Sequence, residues 1–90
     1  MLNKKCLDAS EMEPPEPFER ATAILLHLQR GEYLRMAHRR IPWPLFDYAR
    51  ELSLEYRVQR GETTEYEILI WHREDTSLIS GLFKGEAQCE

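Results

Sequence analysis

The sequence has few of the features that usually declare a function. Its four glycines, at 31, 61, 81 and 85, are scattered rather than gathered into a loop that could cradle phosphate. No serine or cysteine sits in a nucleophile motif, so no catalytic residue is assigned and the chain reads as not an enzyme. A net charge of −4 gives no basic excess, which argues against nucleic acid or an anionic lipid surface as a partner. No apolar run approaches the length that spans a bilayer. The first residues, Met1 to Asp8, carry lysines without an apolar stretch behind them, so no signal peptide is expected. The two cysteines, Cys6 and Cys89, are too few for a disulfide framework, and the expectation is inert reduced thiols in a cytoplasmic protein. No motif calls for a cofactor.

What is present is an ordinary globular composition, 42% hydrophobic and 31% charged, which argues against disorder. Ninety residues support one two-layer core and no more. Short extended runs alternate with helical ones. Lys5 to Ala9 predicts a first strand. The prolines 14, 15 and 17 open a helix, because the first helical turn does not use the N–H that proline lacks. Phe18, Ala21, Ile24, Leu25 and Leu28 form its apolar stripe at spacings of three and four, and Gly31 closes it. Glu32 to Ala37 predicts a second strand, Pro44 to Leu52 a second helix, and Leu54 to Val58 a third strand. A hairpin at Arg60 to Thr64 leads into a fourth strand, Tyr66 to Trp71. The fold expected is an α+β two-layer sandwich of order β-α-β-α-β-β. Right-handed crossovers put both helices on one face of a four-stranded mixed sheet. Residues 1–75 form the domain, and 76–90 a C-terminal tail that is flexible or loosely docked.

Two runs carry a family resemblance. Leu7-Asp8-Ala9, then Pro14-Pro15-Glu16-Pro17 opening a helix, then Gly31-Glu32 opening a strand, resembles the TusA (SirA-like) sulfur carriers. Within that group the chain is most similar to domain of unknown function 2249, which often has His-x-x-x-Pro-x-Pro-Leu after strand two. Here that run is His38-Arg39-Arg40-Ile41-Pro42-Trp43-Pro44-Leu45. The resemblance implies sulfur-carrier architecture. It does not carry the chemistry across, because the carriers keep a reactive cysteine where this chain has Pro14. A helix N-terminus lowers a thiol's pKa there, and a proline ring has no nucleophile to activate. Relay through Cys6, upstream in the first strand, is disfavoured.

Two surfaces remain as candidates. The carboxyl ends of the parallel strands gather Pro14, Pro15 and Glu16 with His38, Arg39 and Arg40. Open α/β sheets bind ligands at such an edge, and arginine with backbone N–H groups suits an anion. The competing expectation is that Glu11, Glu13, Glu16 and Glu19 absorb both arginines in ion pairs. The second surface is a set of outward aromatic and aliphatic side chains, Trp43 and Phe46 by the second helix and Leu69 and Trp71 on the helix-free sheet face. It suits a protein partner. The competing expectation is that the tail folds back over Leu69 and Trp71 through Leu78, Ile79, Leu82 and Phe83. No metal site is expected, because topology puts His27 and His72 at one edge and His38 at the other.

Overall fold

The structure is a computed structural model that describes residues 3–61 and 65–79. Its elements follow the predicted order: β1 (Asn3–Asp8), α1 (Glu16–Leu26), β2 (Glu32–His38), α2 (Trp43–Glu51), β3 (Leu54–Arg60) and β4 (Tyr66–His72). A short 3-10 turn, Arg73–Asp75, then leads into α3 (Thr76–Ile79). The four strands form one mixed sheet in the order β1-β2-β4-β3. β1 and β2 are parallel, and β4 runs antiparallel to both β2 and β3. The ends of β1, β2 and β3 therefore meet at one pole of the sheet.

Most of the apolar stripe read from the sequence packs, while its first residue, Phe18, is 41% exposed. Ala21 and Leu25 of α1 and Leu45, Phe46 and Ala49 of α2 share one core with Leu7, Leu34, Met36, Leu54, Ile68 and Ile70. Both helices thus cover one face of the sheet. Burying aliphatic side chains of this size contributes about 1.5–3 kcal/mol each. α1 ends at Leu26, two residues short of Leu28, the last residue of the predicted stripe. Gly31 sits in the following turn at φ +84, a conformation costly for residues with a Cβ.

The second face of the sheet is not open. Tyr33, Leu69, Trp71 and Ile79 form a separate buried cluster there, so α3 lies against the side of the sheet away from the helices. The indole Nε1–H of Trp71 donates to Thr76 Oγ1 at 3.0 Å, and the Thr76 hydroxyl donates to the Arg73 carbonyl at 2.7 Å. Asp75, 1% exposed, clasps the start of β2: it accepts from Gly31 N–H at 2.8 Å and from Arg30 Nε–H at 2.7 Å. The Arg30 guanidinium and then the Gly31 amide hold the Asp75 carboxyl below its ordinary pKa. A carboxylate depressed in the fold stabilises it above its unfolded pKa, and that contribution is lost as pH falls through the folded value. Melting temperature is therefore expected to drop below about pH 4 in the natural chain. The drop should be shallower in Asp75→Asn, as thermal melts across an acid series will show. Among the described residues no helix is long and apolar enough to cross a membrane.

Candidate functional site

The pole where the parallel strands end collects most of the residues singled out from the sequence. Pro14, Pro15 and Glu16 are exposed at the mouth of α1, and His38 is the last residue of β2, with Arg39 and Arg40 exposed just beyond it. Trp43 opens α2 above that loop and is 65% exposed. Strand register adds residues that the sequence did not flag. His38 pairs with Tyr66 on β4, and Tyr66 pairs with Arg60 on β3. By the alternation of each strand all three point to the helix side, in the same rows as the core residues Met36, Ile68 and Val58. They form a row along the sheet edge beneath the loop that carries the two arginines.

Electrostatics at this pole differ from the expected glutamate network. Glu16 pairs with Arg20 at 3.5 Å, one turn along its own helix, instead of reaching the loop. Among the described residues Arg39, Arg40 and Arg60 have no carboxylate partner within ion-pair distance. Their charge is felt locally: desolvation first, then Arg39 and Arg40, push the pKa of His38 below its ordinary value. The Arg40 amide donates to His38 Nδ1 at 3.1 Å, which fits a neutral ring with its proton on Nε2. The mouth of α1, in contrast, has little to offer an anion. Among residues 14–17 only Glu16 has an N–H, and it donates to the Glu13 carbonyl at 2.9 Å. The predicted anion site therefore keeps its arginines and loses its helix N-terminus.

The proposed aromatic surface is corrected in three of its four members. Phe46, expected to point outward, is 1% exposed and stacks on Tyr56 with ring centroids 4.0 Å apart. The cause is strand order: β3 lies beyond β4 at the sheet edge, so α2 leans over β3 and turns Phe46 into it. Leu69 (0%) and Trp71 (4%) are buried against Ile79. The expectation that the tail folds back is met by Ile79, whereas Leu78 is exposed, and Leu82 and Phe83 lie outside the described residues. Trp43 alone stays outward, packed edge-on against Phe46 at 5.7 Å. The histidines divide as topology required. His72 Nε2–H donates to the Leu28 carbonyl at 2.8 Å, at the end of the sheet opposite His38.

Cys6 is also corrected. It is disulfide-bonded rather than a reduced thiol, on the exposed edge strand β1. The chain's other cysteine, Cys89, lies outside the described residues.

Fold and site together define a small α+β sandwich that presents a tryptophan and three arginines at one pole, with a proline at the mouth of its first helix. The chain belongs to the uncharacterized conserved protein family DUF2249, whose sequence profile matches residues 6–72. Comparison with curated proteins and with solved structures gives no match.

Proposed function

We propose that this chain is a non-enzymatic protein-interaction module. In this reading a TusA-like scaffold has given up its thiol, with Pro14 in the carrier cysteine's place, and works in the cytoplasm by docking a partner at its arginine-bearing pole. One observation carries the reading: Trp43, at 65% the most exposed large hydrophobic side chain among the described residues, stands at the start of α2 beside Arg39 and Arg40. Tryptophan and arginine are the residue types that most often dominate binding energy at interfaces. Arginines with no carboxylate in ion-pair distance among the described residues favour an acidic partner segment, since charge complementarity speeds encounter and fixes orientation.

A fluorescein-labelled peptide of alternating glutamate and leucine, titrated with the protein at low salt, tests the reading by anisotropy. Trp43→Ala is expected to weaken binding about tenfold or more, as hot-spot truncations do. Arg39→Glu with Arg40→Glu should do the same, and added salt should erode the affinity. Affinity unchanged in both variants would discard the reading.

A second reading, a small-anion site at His38, Arg39 and Arg40, is favoured by two arginines in one exposed loop and weakened by the proline-blocked helix. A thermal-shift screen with orthophosphate, sulfate and thiosulfate separates the two, because ligand binding to the folded state alone must raise its stability.

A further inference from the structure

We propose that the outer edge of β3 pairs with the same edge of a second copy of this chain, joining the two sheets into one across a two-fold axis at Tyr56. β3 is the last strand of the sheet, and among the described residues no strand lies beyond it. The bonds at its two ends fix which residues face that edge. The Arg73 amide donates to the Ser53 carbonyl and the Gly61 amide to the Glu65 carbonyl, both at 3.3 Å. Antiparallel strands bond through every second residue, so Glu55, Arg57 and Gln59 direct their N–H and C=O groups to β4. Leu54, Tyr56 and Val58 turn theirs outward, to the edge of the sheet.

Proteins usually blunt such an edge with lysine, proline or a bulge. β1, the other edge strand, carries Lys4 and Lys5. β3 has neither lysine nor proline, and its register with β4 is unbroken over the whole strand.

The side chains of β3 also complement themselves. When the outward groups of Tyr56 bond to those of Tyr56 in the second copy, Leu54 bonds to Val58 of that copy. Glu55 then falls opposite Arg57 of the second copy, and Arg57 opposite its Glu55. These are non-hydrogen-bonded pairs, in which facing side chains approach most closely. Both residues stand on the helix-free side, in the rows of Trp71 and Leu69. Arg73 meets Glu55 at 2.8 Å through one carboxylate oxygen, and a carboxylate accepts through both. Sliding the second copy by two residues sets Glu55 against Glu55 in one direction and Arg57 against Arg57 in the other. Like charges directly opposite are destabilising, so the charges favour the register centred on Tyr56. On the helix side, Tyr56 and Val58 are only partly buried within one copy. In the pair they meet Tyr56 and Leu54 of the other, which extends the core across the junction. One strand pair falls short of the roughly 1,200 Å² of a standard interface, so the dimer is a weak one.

The test uses the full chain. Sedimentation equilibrium up to about 1 mM protein, the weak end of specific association, is expected to show monomer and dimer together. Glu55→Arg alone and Arg57→Glu alone each set like charges opposite one another and should weaken the dimer about tenfold or more. Mixed in equal amounts, the two variants regain opposite charges at both positions, and a heterodimer should form about as tightly as the natural dimer. Hydrogen exchange in the natural chain should slow about tenfold or more at Leu54, Tyr56 and Val58 as concentration carries it from monomer to dimer. A monomer throughout that range, or single variants that dimerise as tightly as the natural chain, would overturn the proposal. So would a mixture that stays monomeric, or protection gained at residues 4, 6 and 8 of β1 instead.

Discussion

Glu67→Ala is expected to lower the unfolding free energy by about 3–5 kcal/mol, the cost typical of removing one partner from a buried ion pair. The Glu67 carboxylate accepts from Arg35 at 2.7 Å through one oxygen and from Gln59 at 3.3 Å through the other. The side chains of Arg35 and Glu67 are only 4% and 10% exposed. Deleting the carboxylate removes the charge that the buried Arg35 guanidinium meets at 2.7 Å. Set against the roughly 5–15 kcal/mol that holds a domain of this kind together, that is a large fraction. The double variant Arg35→Met with Glu67→Met should recover most of the loss, because the desolvation penalty leaves with the charges. Urea denaturation with an unchanged slope reads both effects as shifts in midpoint. A single-variant cost under about 1 kcal/mol would instead mark an ordinary solvated pair, and an open face.

Phe46→Ala is expected to cost about 3–5 kcal/mol, the range for truncating a fully buried phenylalanine. Its ring lies parallel to Tyr56, with 4° between the planes, and is capped edge-on by Trp43. Removal would empty the space between α2 and β3 and expose the Tyr56 ring. Phe46→Leu, which keeps more of the volume, should cost less. Trp43→Ala makes the contrast: a side chain this exposed should change stability by about 1 kcal/mol at most. The two substitutions, three residues apart on one helix, thus separate a packing role from a docking role. Thermal or urea unfolding of both variants tests this directly. Equal losses would mean that Trp43 belongs to the core and is not free to meet a partner.

Much of the fold was legible because the periodicities are clean. The stripe of α1, the prolines that start both helices and the Gly31 turn each have a local physical cause, and each stands within a turn of its expected place. The buried second face has a signal in the sequence. Ile68-Leu69-Ile70-Trp71 is an unbroken apolar run, which suits a strand covered on both sides better than one with a wet face. Phe46 could not be placed from the sequence, since its environment depends on β4 inserting between β2 and β3. The Arg35–Glu67 pair was equally hidden. Each residue taken alone reads as the polar position of an alternating strand, and only the register brings them together diagonally. At the pole, Arg39 and Arg40 were readable from their loop. Arg60 and Tyr66 join them only through strand pairing.

The central claim is that this scaffold works by contact at its arginine-bearing pole, and one measurement tests it most directly. Isotope-labelled protein is titrated with the glutamate–leucine peptide and followed by two-dimensional amide shift mapping. The account predicts perturbations confined to His38 through Leu45, excluding the prolines, together with Arg60 and Tyr66. Perturbations centred on Arg35, Glu67, Leu69 and Trp71, or none anywhere, would contradict it.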